Sequence, residues 1–288
     1  MTAASNTALV VRVSSGQSPT LSIEDIPLPK PAENQVLVKL SHVAQNPTDG
    51  VGAYSHYCLA DERISYKLPG GVSRAEASTL FSKDCLGLDR SQASGSSVLV
   101  WGGSTSVGLY AVQLASLCGF DVVATCSPKH FDLVKSYGAK HVFDYKDEQV
   151  AEKIREAVPN LLHVFDTVGN QSSSTIASQA FRSGPGALCT VRPGKANTEN
   201  VAKGTQVTDV LVWTSFLKDH SYGEFKWPAS KHDHELSAEL FERLPQWAQQ
   251  GSLKPNNPKV YHGLDAVRDG FQEYPDGKIS AYKIVYVL

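Results

Sequence analysis

The glycine-rich segment at residues 102–108, "GGSTSVG", has the residue types and spacing of a phosphate-binding turn. It follows an apolar run, "SVLVW", and precedes "LYAVQLASLCG", in which apolar residues recur at helical spacing. At such a turn the helix N-terminus offers N–H groups and the positive end of its dipole to a pyrophosphate. The spacing departs from G-x-G-x-x-G, so a tight turn without a ligand is the alternative. The strand and helix around it favour a dinucleotide site.

The segment "TCSPKH", which ends the next predicted strand, indicates which dinucleotide is bound. In an NAD site, a carboxylate about 20 residues further on binds the ribose 2′-hydroxyl. Here Asp121 lies at the wrong end of the strand, and a hydroxyl (Ser127), Lys129 and His130 open the following helix. These groups favour a 2′-phosphate, and therefore NADPH over NADH. In the alternative interpretation, Ser127 only caps its helix and Lys129 is solvated; Ser127 could also do both.

Motifs for other chemistries are absent from the sequence: it has no G-x-S-x-G, H-E-x-x-H or P-loop. The five cysteines (Cys58, Cys85, Cys118, Cys126 and Cys189) are scattered and form no C-x-x-C pair. This pattern predicts neither disulfides nor a zinc knuckle, and we expect a reduced, cytoplasmic setting. His232-Asp233-His234 is not expected to bind metal, because residues i and i+2 diverge on a helix. Asp233 is predicted to be an N-cap instead.

The overall composition, 288 residues with a net charge of −2, indicates neither nucleic acid nor a membrane surface as partner. The N-terminus lacks the basic and apolar regions of a secretory signal. The uncharged stretch at residues 91–120 is interrupted by glycines, so it is predicted to be a strand, a turn and a helix rather than a membrane span.

The order of elements predicts a parallel, doubly wound sheet in the middle of the chain. Strands "SVLVW", "DVVATC", "KHVFDY", "LLHVFDTVG" and "GALCTV" alternate with helices near 109–118, 128–138, 147–157 and 171–182. Residues 7–45 are expected to be β-structure, with strands at "ALVVRV" and "QVLVKLSHVAQ" joined by an extended connection, "LSIEDIPLPKP". After residue 214, we expect an aromatic loop, a helix at 233–250, and then a strand, a short helix, a turn and a final strand.

With these features, the chain resembles the medium-chain dehydrogenases/reductases, in the zinc-free branch of quinone and enoyl reductases. Within that branch it is most similar to the trans-acting enoyl reductases of fungal polyketide and toxin clusters. The matching stretches are "NPTD" (46–49), "VLVWGGSTSVG" (98–108), "ATCSPKHFDLVKSYGAKHVFDYKD" (124–147), "VFDTVG" (164–169) and "GLDAVRDGFQEYPDGKISAYKIVYVL" (263–288). The resemblance implies a shortened GroES-like β-domain at 1–94, a Rossmann NADP-binding domain at 95–214, and a segment at 215–288 that completes the catalytic domain.

The resemblance also implies a set of cofactor contacts. Thr48 and Asp49 would lie near the nicotinamide, and residues 104–107 under the pyrophosphate. Other positions would surround the 2′-phosphate or touch the cofactor elsewhere. The full set is Thr48, Asp49, Ser104, Thr105, Ser106, Val107, Ser127, Pro128, Lys129, His130, Tyr145, Val191, Arg192, Ile279 and Ser280.

Similar enzymes transfer hydride from C4 of NADPH to the β-carbon of an α,β-unsaturated thioester held on a carrier protein, and the enolate is then protonated at the α-carbon. By this resemblance we expect an NADP cofactor, no metal, an acyl substrate that is free or carrier-bound, a polyketide synthase as partner, and a monomeric protein.

The N-terminal half departs from the family pattern in two places. After "NPTD", similar proteins continue with Trp-Lys and several strands, whereas here Asp49 is followed by Gly50-Val51-Gly52. Between Leu80 and Gly95 the segment "FSKDCLGLDRSQAS" replaces a longer one, with Asp84 and Cys85 near the position of a channel-lining threonine. The missing lysine leaves the catalytic residues unassigned.

The candidate proton donors are Tyr54, His56 and Tyr57, which are expected nearest the cleft, or water. The alternative for these aromatic residues is packing in a half-buried strand. Two other functions stay open beside enoyl reduction: a quinone or small-enone reductase, and an NADPH-binding accessory protein without catalysis.

Overall fold

The computed structural model describes residues 5–12, 20–45, 54–65, 95–181, 186–210, 212–222 and 225–288. The described residues belong to two compact units. The first unit draws on Met1–Phe81, Phe241–Gly251 and Pro255–Leu288, and the second on Ser82–Leu240 and Ser252–Lys254. In chain order the strands are β1 (Ser5–Arg12), β2 (Thr20–Pro27), β3 (Gln35–Lys39), β4 (His42–Ala44), β5 (Tyr57–Asp61), β6 (Ser97–Trp101), β7 (Asp121–Cys126), β8 (Ala139–Asp144), β9 (His163–Asp166), β10 (Ala187–Thr190), β11 (Gln206–Asp209), β12 (His220–Tyr222), β13 (Phe225–Trp227), β14 (Pro258–His262) and β15 (Lys283–Val287). The α-helices are α1 (Ser106–Leu117), α2 (Phe131–Ser136), α3 (Val150–Ala157), α4 (Ser173–Ser178), α5 (Lys231–Gln249) and α6 (Val267–Gln272).

Six parallel strands form the sheet of the second unit, in the order β8-β7-β6-β9-β10-β11. This is the order 3-2-1-4-5-6 of a doubly wound dinucleotide-binding sheet, and the winding reverses between β6 and β9. The predicted Rossmann fold is therefore confirmed. Such sheets bind ligands outside the carboxyl ends of the strands at the point of reversal, so that edge is where a site is expected.

Strand β6 lies in the middle of this sheet because its continuous apolar run can be buried on both faces. Val98, Leu99 and Val100 are fully buried. Val98 and Val100 pack in one core cluster with Val112 of α1, whereas Leu99 packs in a second cluster with Ile154 of α3. Alternate residues of the strand thus contact the helices on opposite faces of the sheet.

Strand assignments differ from the sequence-based expectation in three places, and one of them is the expected aromatic loop after residue 214, where β12 and β13 pair antiparallel. Residues 20–27 form a strand that pairs antiparallel with β1 from Ser5↔Pro27 to Arg12↔Thr20, so the expectation of an extended connection there was wrong. The prolines at 29 and 31 follow this strand, where no ladder hydrogen bond is needed. The sixth parallel strand, β11, was not predicted; it pairs with β10 along the edge of the sheet.

Helix α5 begins earlier than the sequence suggested. It starts at Lys231, and the hydroxyl of Ser230 accepts a hydrogen bond from the Asp233 N–H at 3.1 Å. Ser230 therefore caps the helix, and the prediction of Asp233 as N-cap was wrong. The Asp233 carboxylate lies in the first turn and accepts a hydrogen bond from the Thr214 hydroxyl. Within the described ranges, no group of three or more His, Cys, Asp or Glu residues could hold a metal ion.

The first unit joins the two ends of the chain in a three-stranded sheet, β14-β15-β4. Strand β15 pairs antiparallel with β4, with Tyr286 opposite Val43. Leu9, Tyr54 and Tyr286 contribute to its buried core. This assembly confirms the predicted β-domain built from N- and C-terminal segments. Among the helices that the structure describes, none is long and apolar enough to span a membrane.

Candidate cofactor-binding site

The glycine-rich turn between β6 and α1 depends on two glycines that no larger residue could replace. Gly102, directly after Trp101, has φ +84°, and a Cβ there would lie 2.6 Å from Cγ2 of Val168. A Cβ on Gly108 would lie 2.1 Å from the carbonyl oxygen of Gly102. Because real Cβ contacts are never this short, both positions require glycine. The first turn of α1 consequently packs directly on the backbone of the loop.

A pair of threonine hydroxyls fixes this turn to the loop after β9. The hydroxyl of Thr105 accepts the N–H of Gly108 at 2.9 Å, and so caps α1. It also lies 2.9 Å from the Thr167 hydroxyl, which in turn lies 2.8 Å from the carbonyl oxygen of Trp101. Since Thr167 has one hydroxyl proton and gives it to a carbonyl, Thr105 donates to Thr167. The Thr105 hydroxyl thus donates one hydrogen bond and accepts another within the protein.

The other predicted pyrophosphate residues lie at the start of α1. Ser104 and Ser106 are half-buried on either side of Thr105, and Val107 is 38% exposed. No described residue accepts a hydrogen bond from the backbone N–H of Val107. A backbone N–H without a protein acceptor in the first turn of a 12-residue helix is the kind of donor that binds a phosphate oxygen.

The residues predicted to bind the 2′-phosphate come together at the same edge of the sheet. Strands β7 and β8 are in register, with Cys126 opposite Asp144 at their carboxyl ends. Ser127 and Tyr145 directly follow these two residues. Ser127 is extended, with φ −66° and ψ 144°, and its hydroxyl makes no capping hydrogen bond to the 3₁₀ turn Pro128–His130. The Ser127 hydroxyl thus lacks the capping role that was the alternative interpretation.

At this edge, positively charged side chains lie beside the carboxylate of Asp144, the last residue of β8. Lys129 is exposed, and the ammonium group of Lys146 lies 5.8 Å from the ring centroid of Tyr145. Burial and the Lys129 charge lower the pKa of His130. Burial, followed by the charge of Asp144, raises the pKa of Cys126 to about 11, so this thiol is neutral at pH 7.

The acidic residue of this strand, Asp121, begins β7 at the opposite edge, where Lys140 pairs with it. The carboxyl end of β7 therefore lacks the carboxylate with which an NAD site binds the ribose.

A buried carboxylate shapes the loop at the point where the winding reverses. Asp166, the last residue of β9, is fully buried. It accepts hydrogen bonds from the N–H groups of Val168 and Gly169, both at 2.9 Å, and from the hydroxyls of Ser173 and Ser174, both at 2.6 Å. These four donors satisfy the carboxylate and fix the loop from Thr167 to the start of α4.

Sequence analysis did not single out Asp166 or Thr167, although "VFDTVG" places polar residues directly after a buried strand. The signal that could have identified Asp166 is the nearby pair of hydroxyl donors. Ser173 and Ser174 lie within eight residues of Asp166, close enough along the chain to donate to its carboxylate in a strand-to-helix loop.

Two further predicted residues extend this edge of the sheet. The N–H of Val191, directly after β10, donates to the carbonyl of Asp166 at 3.1 Å. The Nε of Arg192 donates to the carbonyl of Gly169 at 2.8 Å. Gly169 has φ +60°, and a Cβ on it would lie 2.4 Å from Cγ of Arg192. The side chain of Arg192 therefore packs along a residue that must be glycine.

The remaining predicted contact residues belong to the first unit or lie outside the described residues. Ile279 and Ser280 lie in the first unit, between α6 and β15, and Ile279 packs against its core. Thr48 and Asp49 lie outside the described residues, as do Asp84 and Cys85. For the last four positions the family resemblance is the basis of the prediction.

Of the candidate proton donors, Tyr54 has a structural role. Its ring is 5% exposed and contacts the rings of Phe271 and Tyr286 edge-on, at centroid distances of 5.9 and 5.6 Å. Tyr54 therefore packs in the core of the first unit. His56 and Tyr57 are half-buried, and Tyr57 begins β5 opposite Lys39.

The chain is similar to curated dehydrogenases and reductases. A family model described as zinc-binding dehydrogenase matches residues 106–219. A zinc-type alcohol dehydrogenase-like protein of Schizosaccharomyces pombe is 30% identical over 266 residues, which cover 84% of this chain and 75% of that protein. A trans-enoyl reductase of Alternaria alternata is 33% identical over 254 residues, which cover 82% and 71%.

Solved structures of the same fold cover the whole chain. The crystal structure of CurK enoyl reductase matches with a TM-score of 0.74 and 16% identity, covering 98% of this chain and 99% of that one. A mycobacterial protein complexed with NADPH matches with a TM-score of 0.72 and 20% identity, covering 99% and 100%. At these identities, the matches show the fold.

Proposed function

Because the chain belongs to the medium-chain dehydrogenase/reductase family, and is an oxidoreductase of that family, we propose that it is an NADPH-dependent enoyl reductase. It acts in trans on the acyl chain of a fungal polyketide synthase. The relatives that carry this proposal are trans-enoyl reductases, of which the Alternaria alternata protein is one. The substrate class is an α,β-unsaturated thioester on a carrier protein.

The observation that carries the cofactor assignment is the chemistry at the carboxyl ends of β7 and β8. The hydroxyl of Ser127 makes no capping hydrogen bond and can donate to a ligand, and the exposed Lys129 supplies a positive charge. The carboxylate of Asp121 lies at the other end of the strand. A 2′-phosphate carries two negative charges that such groups bind, whereas a ribose 2′-hydroxyl calls for a carboxylate.

When bound, NADPH supplies the hydride for the β-carbon of the substrate. The residues of this chain bind and orient it. The N–H groups at the start of α1 bind the pyrophosphate, and Ser127 and Lys129 bind the 2′-phosphate. The loops after β9 and β10 would then contact the other half of the dinucleotide. Alignment of the acceptor against the nicotinamide then provides a large part of the rate acceleration.

Turnover assays with three acceptors test this function. The purified protein is mixed with NADPH or NADH and with crotonyl-pantetheine, crotonyl carrier protein or a small quinone, and oxidation of the cofactor is followed by absorbance. We expect NADPH oxidation with the thioesters and far less with NADH. Reduction of the quinone alone would indicate a small-enone reductase. NADPH binding without turnover would indicate an accessory protein, and absence of binding would overturn the proposal.

A further inference from the structure

The side chain of Arg192 is fixed by contacts of its Nε and of its aliphatic part. It follows β10, and its backbone N–H donates to the Thr190 hydroxyl at 3.3 Å. Its Nε donates to the carbonyl of Gly169, which also accepts from Nδ2 of Asn197 at 2.8 Å. Packing of Cγ against Gly169, where a Cβ would be 2.4 Å away, fixes the aliphatic part. Little side-chain entropy is left to lose when this group binds a ligand.

The charge of Arg192 is not neutralised by the part of the protein that the structure describes. No carboxylate among the described residues forms an ion pair with it, and neither terminal nitrogen, Nη1 or Nη2, has a hydrogen-bond partner there. The carboxylate of Asp166, whose loop includes Gly169, already accepts four hydrogen bonds from that loop. The residue itself is exposed. Two N–H₂ groups of a fixed cation are thus left for a ligand.

The sheet order places this cation in the half of the site where the reaction occurs. A doubly wound sheet binds one mononucleotide on strands 1 to 3 and the other on strands 4 to 6. The glycine turn, Ser127 and Tyr145 follow β6, β7 and β8, so the phosphate-bearing adenosine belongs to that half. Arg192 follows β10, the fifth strand in this order, in the half that is left for the nicotinamide.

We infer that Arg192 is a catalytic residue whose terminal guanidinium nitrogens donate hydrogen bonds to the thioester oxygen of the substrate, in place of the cofactor contact that the family resemblance implied for it. This inference rests on the proposed function. As hydride adds to the β-carbon, the electron pair of the Cα=Cβ bond forms the new C=C bond to the carbonyl carbon, and the carbonyl π pair moves to oxygen. The cofactor is oxidised, and water then protonates the α-carbon. A cation beside the oxygen stabilises the enolate more than the neutral thioester, and so increases kcat.

This role would also supply a positive group in a chain that lacks the lysine expected from the family resemblance. The sequence has Gly50 and Val51 after Asp49, where the resemblance leads one to expect Trp-Lys. Arg192 is a fixed cation with unoccupied donors in the appropriate half of the sheet.

The first test compares Arg192→Gln and Arg192→Lys with a matched control, Lys195→Gln, which removes a charge from an exposed residue of the adjacent 3₁₀ turn. We expect Arg192→Gln to lower kcat about 100-fold, as loss of one oxyanion donor does, while the Kd of NADPH changes less than threefold. Arg192→Lys should retain part of the activity, and Lys195→Gln nearly all. Added guanidinium ion should partly restore Arg192→Ala. An unchanged kcat, or a loss confined to NADPH affinity, would overturn the inference.

The second test needs no hydride transfer, so it separates this inference from the proposed function. Acetoacetyl-pantetheine ionises to an enolate that absorbs in the near ultraviolet, and its pKa can be measured in the complex with protein and NADP⁺. We expect the wild-type protein to lower that pKa by at least about one unit, a tenfold gain in enolate, and Arg192→Gln to abolish the shift. A protein that lowers the pKa but does not reduce enoyl thioesters would contradict the reductase and keep the role of Arg192. Equal pKa values with both proteins would overturn that role.

Discussion

At the scale of single residues, we propose that Ser127 and Lys129 determine which cofactor is bound. A hydrogen bond to a charged group contributes ~1.5–3 kcal/mol, so we expect Ser127→Ala and Lys129→Ala each to raise the Kd of NADPH about tenfold or more. The Kd of NADH should stay the same. Lys135→Ala, which removes an exposed charge from α2, is the control. Fluorescence titration of the wild type and the three variants with both cofactors measures these dissociation constants. Equal weakening of both cofactors would mean that these side chains do not contact the 2′-phosphate.

A second residue-scale prediction concerns the carboxylate of Asp166. Asp166→Asn replaces one acceptor oxygen by an N–H₂ donor, which would face the hydroxyls or N–H groups that now donate to it. We expect a loss of about 2–3 kcal/mol in the free energy of unfolding, measured with urea. The exposed Asp132→Asn should change it by less than about 0.5 kcal/mol. Equal stabilities would refute the description of Asp166 as the buried acceptor of this loop.

The residues of the site differ in how far sequence could predict them. Ser127 and Tyr145 each follow a strand with a clear apolar pattern, so their common edge could be inferred from the parallel order. The contact of Arg192 with Gly169 joins residues 23 positions apart on two loops. Its geometry depends on backbone angles that no local pattern encodes. Only the structure shows that the stem of Arg192 is fixed.

At the scale of elements, helix α1 must approach the glycine turn closely. We expect Gly108→Ala to destabilise the protein by about 2 kcal/mol and to abolish NADPH binding, because the new Cβ would overlap the carbonyl oxygen of Gly102 and displace the helix. Urea unfolding and cofactor titration measure the two effects. Leu117→Ala, at a 41% exposed position of the same helix, should leave cofactor binding unchanged. NADPH binding of normal affinity by Gly108→Ala would contradict the proposed position of the pyrophosphate.

A buried carboxylate after α6 links that helix to β14 and to the residue that precedes β15. Glu273 is 5% exposed and accepts hydrogen bonds from Lys259, Tyr261 and Tyr282. Burial would raise the pKa of Glu273, but these three donors lower it below its ordinary value of 4.5. Burial, and then the Glu273 hydrogen bond, raises the pKa of Tyr282 to about 12.

The lowered pKa of Glu273 predicts a pH dependence of stability. A carboxylate with a lowered folded-state pKa contributes its full stabilisation above the unfolded-state pKa and loses it as the pH falls through the folded-state value. The melting temperature of the wild-type protein should therefore exceed that of Glu273→Gln at pH 7, and the difference should shrink below about pH 4.5. The exposed Glu152→Gln is the control. A difference that grows towards acid would contradict the assignment.

The elements that sequence could predict are those with strong local signals. The runs "SVLVW" and "DVVATC" are apolar enough to mark central strands, and Gly119 and Gly138, with φ +90° and +112°, follow α1 and α2 as predicted. Strand β11, "QVTD", alternates exposed and half-buried residues and has few apolar ones, because it lies at the edge of the sheet. Its pairing with β10 is a tertiary contact that the sequence pattern does not reveal.

At the scale of the whole molecule, the chain keeps the complete six-stranded sheet while covering 71–75% of the length of the two curated relatives. The expected shortenings, after Asp49 and between Leu80 and Gly95, both lie in the N-terminal part. The groups proposed to bind phosphate, Ser127 and Lys129, belong to the unit that contains the sheet. Binding of the cofactor phosphates is therefore expected to be independent of those shortenings.

The measurement that tests the central claim most directly is a fluorescence titration of the purified full chain with NADPH and, in parallel, with NADH. The account predicts saturable binding of NADPH with a Kd at least about tenfold lower than that of NADH, because only NADPH carries the phosphate that Ser127 and Lys129 would bind. Equal affinity for both, tighter binding of NADH, or binding of neither would contradict it.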